Sequence, residues 1–358
     1  MKIVLNGIGE NHSRNEGYKV AEDNIFSYLK NKNIDIKYRS LMPANFLDLY
    51  NSGIGIQYES DSETTIDEDI LINHRLPLDY SVSNKYNIGF TYWETTELPS
   101  SWVSRMNQMN EIWTTSLWAR NVFIESGVTV PVYNFRLGVD KLFYPKKRIV
   151  NDSKFTFLCI GSPSTRKNSQ MTVDAFIKVF SGDDRIRLLY KSIDSPDARW
   201  YRNGQMSRIS DHPQIDVIED DVPIEELSNI YDASDCVVYP TSGEGWGMLP
   251  YQGIAKGIPT ICTNATGCTE YAELSVPLNF TMGKNKMPGI YSNSGSWAEP
   301  DFDDLCAKML YVYNNYDVVS DYTYNNAVLN EQTMSWDSAA EGYYERLCQI
   351  SKELKTKL

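Results

Sequence analysis

The chain has 358 residues, 42% of them apolar and 23% charged, and a formal net charge of −13. That is enough for two globular domains of ordinary size, with the composition of a soluble protein. No run of eighteen apolar residues occurs, which argues against a transmembrane helix, and the acidity argues against a general nucleic-acid binder.

The charge is uneven. Residues 1–150 carry 16 Lys and Arg against 18 Asp and Glu, and the remainder carries 18 against 29. The opening segment has one Lys and a short apolar stretch that ends at a polar loop. It reads as a strand around Ile3-Val4-Leu5 and not as a signal peptide. Tyr18, Ala21, Ile25, Tyr28 and Leu29 then share one helical face. Ile34-Asp35-Ile36 begins a strand, and six acids between Glu59 and Asp69 read as one solvated loop. The short apolar runs 69–73 and 87–92 are of the buried-strand type. Residues 117–126 are a predicted helix that Gly127 ends. This alternation predicts a parallel sheet with helices on both faces.

A charged, turn-rich seam spans 138–154, after which the pattern restarts. Strands are predicted at 155–160, 185–190, 215–218 and 236–239, with a helix over 171–180. Residues 301–354 read as mostly helical. The expected division is a first Rossmann-like domain over 1–150 and a second over 151–335. A final helix, 336–358, is expected to pack back on the first. Two doubly wound domains in succession place a ligand in the cleft between them. The six cysteines show no CxxC pair, and Cys159, Cys236 and Cys262 fall in predicted buried strands, so reduced thiols in a cytoplasmic protein are expected. His12, His74 and His212 lack ligand spacing, and no metal site is expected. His12 and His74 stand where a ligand-facing loop or strand end is predicted; the bland reading of both is a satisfied structural histidine.

The most informative stretch is Gly243 to Glu273, GEGWGMLPYQGIAKGIPTICTNATGCTEYAE. It is a glycine loop, a helix, a turn and a strand in succession. A helix entered from such a loop offers backbone N–H groups and a positive dipole end to an anion such as phosphate. Glu244 sits in the mouth of the loop. Arg166 and Lys167, in GSPSTRKN (161–168), follow the first strand of the second domain; an arginine fork and a lysine point charge both suit phosphate oxygens.

This layout resembles the nucleotide-sugar site of retaining family-4 glycosyltransferases of the GT-B fold. Their signature is Glu-Gly-Phe-Gly, with a second Glu eight residues after the first. Further matches lie in the same order. They are Asn15-Glu16-Gly17-Tyr18 before the first helix, residues 92–99 (YWETTELP), residues 110–116 (NEIWTTS), Gly138-Val139-Asp140 with Phe143 and Pro145, and Gly161 to Asn168. The chain departs from the family pattern at Asn110, at Ser162, where many relatives have an arginine, and at Gln252, which holds the second Glu place.

The resemblance implies an α/β chain of two Rossmann-like domains and a metal-independent, retaining transferase that takes its sugar from a nucleoside-diphosphate donor. It places Glu244 at the sugar, where a carboxylate favours positive charge at the anomeric carbon. Arg166 and Lys167 would stabilise the departing diphosphate. Gly17, Gly161, Gly245, Trp246, Gly247, Met248 and Leu249 would line the donor, and Gln252 would hold the ribose diol, since an amide both donates and accepts. Glu16, Trp93, Glu94, His12 and His74 are the candidates for sugar or acceptor contact. The acceptor is a hydroxyl on a glycan or related molecule. The segment 243–272, with Gln252 in the second acidic place, also looks like transferases of tailed phages, so hydroxymethylcytosine in DNA, modified in a host cytoplasm, is the second reading. A protein that binds sugar nucleotides without turnover, suggested by Gln252 and Ser162, is the third.

Overall fold

The computed structural model describes residues 1–7, 17–40, 68–83, 85–147, 154–192, 199–202, 205–292 and 294–356. The chain forms two compact units. The first comprises 1–138, 285–296 and 336–358, and the second 139–284 and 297–335.

The first unit is built on β1 (Lys2–Gly7), α1 (Gly17–Asn31), β2 (Asp35–Ser40), β3 (Ile70–His74), β4 (Tyr86–Phe90), α2 (Ser100–Met106), β5 (Glu111–Thr114), α3 (Leu117–Glu125) and β6 (Val132–Asn134). The strands pair in parallel in the order β2-β1-β3-β4-β5-β6. All five residues of β3 are buried, as a strand covered on both faces requires. The helix α3 starts at Ser116, whose hydroxyl accepts from the Ala119 N–H, and stops before Gly127 at φ +105. Trp93, Trp102, Met106, Ile112 and Phe123 form the core.

The C-terminal helix, Trp336–Thr356, belongs to this unit. Its Arg346 donates to the buried Glu111 carboxylate at 2.6 Å and stacks over the Tyr133 ring. Tyr86 and Trp113 also donate to Glu111, at 2.8 and 2.6 Å.

The second unit repeats the plan with β7 (Phe155–Ile160), α4 (Ser169–Phe180), β8 (Ile186–Lys191), a hairpin of β9 (Arg199–Arg202) and β10 (Gln205–Arg208), β11 (Ile215–Ile218), α5 (Ile224–Asp232), β12 (Cys236–Tyr239), α6 (Met248–Ala255), β13 (Thr260–Thr263) and β14 (Val276–Leu278). Its main sheet runs β11-β8-β7-β12-β13-β14, all parallel. The strands β15 (Phe280–Lys284) and β16 (Ser296–Pro300) pair with each other. Helices α7 (Phe302–Asn314) and α8 (Tyr316–Met334) complete the unit. Phe157, Phe176 and Phe180 anchor its core, with the Phe157 and Phe180 rings stacked at 5.2 Å.

In each sheet the strand order reverses once, between β1 and β3 in the first and between β7 and β12 in the second. Loops at the carboxyl ends of the strands beside such a reversal are where open α/β sheets bind ligands.

Candidate active site

In the second unit the reversal point is occupied by two loops, 161–168 after β7 and 240–247 after β12. Gly161 adopts φ +123, and a Cβ there would sit 3.0 Å from the Lys167 side chain and 3.3 Å from Leu249. The lysine and the first turn of α6 therefore close over a position that only glycine fills without strain. Asn168, left-handed at φ 51, opens α4, and its amide donates to the Pro240 carbonyl at 2.9 Å and the Ser242 hydroxyl at 2.8 Å. Ser242 N–H donates to the Arg166 carbonyl at 2.7 Å. These bonds fix the two loops against each other.

Glu244 is the centre of the arrangement. Its Oε1 lies 2.7 Å from Arg166 Nη1 and accepts from the Tyr239 hydroxyl at 2.8 Å. Burial alone would push this carboxyl up. The charges of Arg166 and Lys167, with the hydrogen bonds from Tyr239 and Arg166, outweigh it and hold the group below its ordinary value. Glu244 is therefore an ionised carboxylate at neutral pH.

The backbone of the glycine loop is held just as closely. Glu244 N–H donates to Thr266 Oγ1 at 2.9 Å, and its carbonyl accepts from Gly267 N–H at 2.8 Å. A Cβ on Gly267 would collide with the Gly245 carbonyl. Gly247 caps α6 at φ +86, and a Cβ there would lie 2.5 Å from the Tyr271 hydroxyl, which donates to the Trp246 and Gly247 carbonyls. Trp246 is buried against the Tyr251 and Tyr271 rings. Met248 and Leu249 form the first turn of α6. Further along that helix Gln252 is buried, and its Oε1 accepts from Tyr231, which also donates to the Leu249 carbonyl.

The structure thus brings Arg166, Lys167, Gly161, Glu244, Gly245, Trp246, Gly247, Met248, Leu249 and Gln252 to one edge of the second sheet. Sequence reasoning missed Tyr239, Thr266, Gly267 and Tyr271, which hold that group in place. The signal was present for two of them: Tyr239 ends a buried strand directly before the loop, and Gly267 stands alone within NATGCTEY.

The first-unit candidates divide. Gly17 is the exposed first residue of α1. His12 and Glu16 lie outside the described residues. His74 is buried, with Nδ1 3.1 Å from Glu22 Oε1 and Nε2 2.7 Å from the Tyr92 hydroxyl. Glu94 is half-buried and accepts from the Tyr291 hydroxyl at 2.7 Å. Trp93 departs from expectation. It is fully buried, packed between Trp102 and Tyr291, with its N–H given to the Glu97 carbonyl. Stacked on Tyr291, met edge-on by Trp102 and shut off from solvent, it is a core residue and offers no stacking surface to a sugar.

Among the described residues no group of three or more His, Cys, Asp and Glu side chains is placed to hold a metal ion, and no helix is long and apolar enough to cross a membrane.

Two doubly wound parallel sheets, with a cation-flanked carboxylate at the glycine loop of the second, define a glycosyltransferase of the GT-B fold. The chain belongs to the family described as family 4 glycosyltransferase in conflict systems, whose profile matches residues 116–342. No curated protein matches it. Similar solved structures include the sucrose-phosphate synthase of Thermosynechococcus elongatus, at 11% identity with 99% of each chain covered and a TM-score of 0.67. A glycosyltransferase from Rickettsia africae has 14% identity, covers 98% of this chain and 99% of its own, and gives a TM-score of 0.66. Anabaena HepE in complex with UDP and glucose has 10% identity, covers 97% and 99%, and gives 0.61.

Proposed function

We propose that the chain is a retaining, metal-independent glycosyltransferase that moves a sugar from a nucleoside-diphosphate donor to a hydroxyl acceptor. The observation that carries this is Glu244, ionised and buried between Arg166 and Tyr239 at the mouth of a glycine loop that leads into α6. A fixed carboxylate beside fixed cations can stabilise, in one site, positive charge at an anomeric carbon and negative charge on a departing diphosphate. Arg166, Lys167 and the first turn of α6 take the diphosphate, and Gln252 takes the ribose. Membership of family 4 supports retention of configuration, and a relative of the same fold with UDP and glucose bound supports the donor class. The acceptor binds the first unit, with Glu94 among its contacts. Six unpaired cysteines suit a reducing cytoplasm.

A second reading takes hydroxymethylcytosine in DNA as the acceptor. It is favoured by the near balance of 16 basic and 18 acidic residues in 1–150 of a strongly acidic chain. One experiment addresses both. Hydroxymethylcytosine-containing DNA and a panel of oligosaccharides are incubated with the protein and a pool of nucleotide sugars, and the products are weighed by mass spectrometry. A pentose or hexose gain on the base selects DNA, and a gain on a glycan selects the first reading. Glu244→Gln lowers kcat by about 10²–10³ while the protein stays folded. Undiminished transfer in that variant would overturn the role given to Glu244.

A further inference from the structure

The sheet of the second unit holds a further buried cation at its carboxyl edge, which the pairing of Arg166 with Glu244 does not use. Lys191 ends β8 and is 3% exposed. Its backbone carbonyl accepts from the Gly161 N–H at 3.0 Å, so it stands directly beside the loop 161–168. Its side chain lies on the sheet face that α6 covers. Val237 meets the Gly253 position of α6 on that face, Leu158 pairs with Val237, and Leu189 pairs with Leu158. Lys191 is two residues past Leu189 and so points the same way. Its Nζ donates to the Asp220 carbonyl at 2.6 Å and the Ser192 carbonyl at 3.4 Å, and among the described residues it meets no carboxylate. Asp220 belongs to an exposed acidic run, Glu219-Asp220-Asp221, between β11 and α5.

A buried ammonium met only by carbonyls is poorly compensated for the water it has lost. Burial pulls Lys191 below its ordinary value, and the charges of Asp221, Asp220 and Glu226 oppose that. An ammonium has three N–H donors, and the two carbonyls take two of them. The sheet order indicates what the third meets. A nucleoside-diphosphate sugar is a linear molecule, with sugar, diphosphate and nucleoside in succession. Along the carboxyl edge the strands run β12-β7-β8-β11. With the sugar at the loop after β12 and the diphosphate at the loop after β7, the nucleoside end arrives at the end of β8, beside the acidic run that follows β11.

We propose that Lys191 selects the nucleobase of the donor. This deepens the reading above and rests on it. Lys191 Nζ donates to a ring carbonyl oxygen, and a carboxylate of the run 219–221 accepts from the ring N–H beside that carbonyl. Uracil and guanine both carry this adjacent carbonyl and N–H. Adenine and cytosine carry an amino group and a bare ring nitrogen in those places. With either of them the ammonium would face a donor and the carboxylate a lone pair, and unpaired groups of that kind are what reject a wrong ligand. A lysine that only ties β8 to the loop before α5 would give no preference among bases.

Calorimetry on the full chain with UDP, GDP, ADP and CDP tests this. The better of UDP and GDP is expected to bind at least about tenfold tighter than ADP and CDP, and which of the two is better identifies the base. ADP or CDP within about threefold of it overturns the role of Lys191 and leaves the donor reading standing. If none of the four binds, the donor reading falls and the proposal with it. Lys191→Met keeps the stem and removes the ammonium, and it is expected to bring the four affinities within about threefold of one another. A preference that persists in that variant overturns the proposal. Nitrogen NMR of lysine-labelled protein gives a second readout that needs no methionine variant. Lys191 and Lys256 are equally buried, and Lys256, paired with Asp232 at 2.6 Å, serves as the internal reference. Lys191→Arg, which keeps the charge, identifies the Lys191 signal by its loss. That signal is expected to move with the preferred nucleotide and not with ADP. A Lys191 signal that the preferred nucleotide leaves in place overturns the proposal.

Discussion

The two units share a fold plan and differ in how they hold charge at the carboxyl edge of the sheet. In the second, Glu244 is paired with Arg166, faces Lys167, and is framed by glycines whose carbonyls and N–H groups lie almost in contact. In the first, Glu22 is held by Tyr38 and His74 within a cage of aromatic rings. The second unit's arrangement suits an anion met by fixed cations, and the first unit's buries its carboxylate among rings and hydrogen-bond partners. The contrast implies that backbone changes damage the second unit's site most, and side-chain changes the first unit's.

The largest effect is expected in the scaffold of the first unit. Glu111 is fully buried, and Arg346 of the C-terminal helix is its cationic partner. Arg346→Ala leaves a buried carboxylate with hydrogen bonds from Tyr86 and Trp113 but no opposing charge. A cost of about 3–5 kcal/mol follows. Chemical denaturation followed by Trp fluorescence should show it as an earlier transition of the first unit, with nucleotide-sugar binding by the second unit retained. Loss of both at the same denaturant concentration would mean that the units do not unfold separately.

Next comes the backbone of the donor loop. Gly267→Ala drives a methyl into the Gly245 carbonyl, which is main chain and can yield only by moving the loop. A destabilisation of about 1–3 kcal/mol is expected, with nucleotide-sugar affinity reduced in calorimetry. The comparison is Gly289→Ala in the first unit. Gly289 has φ +71 but no atom within 4 Å of the new Cβ, so only the cost of the left-handed backbone applies, about 1–2 kcal/mol. Its donor affinity should not change.

These two regions were unequally legible in the sequence. The glycine-loop cluster of the second unit could be read because its members are local: glycines three and one residue from a carboxylate, and two cations a few residues beyond a strand. The doubly wound plan could be read for the same reason, since runs such as Phe155–Ile160 are buried on both faces. The first-unit constellation could not. Tyr18, Glu22, Tyr38, His74 and Tyr92 come from α1, β2, the end of β3 and the segment just after β4, and only the parallel pairing of β2, β1, β3 and β4 gathers them. Trp93 shows the limit for aromatic residues. A ring suits a sugar face or a core equally well, and what decides is packing by Trp102 and Tyr291, the latter 198 positions away. The segment 285–296 gave no periodic signal that would join it to the first unit, yet Tyr291 and the mutual bonds of Thr96 and Ser296 do so.

A pH experiment sharpens the electrostatic side of the contrast. Because the folded-state value of Glu244 is depressed, its contribution to stability is present above the ordinary carboxylate range, about 4.3. It is lost as pH falls through the lower folded value. In Arg166→Met burial, the largest influence, is opposed only by Lys167 and Tyr239, so the carboxyl moves up. The acid limb of nucleotide-sugar binding should therefore shift to higher pH in the variant. A limb that stays in place would show that Lys167 and Tyr239 suffice to hold Glu244 ionised.

The smallest effect, and the sharpest comparison, is the same deletion made in both units. Tyr239→Phe removes one neutral donor from Glu244 and leaves the Arg166 pair at 2.7 Å intact. Because the carboxylate keeps its charged partner, the loss should be about 1 kcal/mol of stability, and kcat should fall less than about tenfold, the rate equivalent of that energy. Tyr92→Phe removes one hydroxyl too, 2.7 Å from His74 Nε2 in the first unit, and should leave nucleotide-sugar affinity unchanged. If both variants weaken nucleotide-sugar binding equally, the assignment of the donor to the second unit fails. If only Tyr239→Phe weakens it, the charge held at the second sheet's edge is what the donor senses.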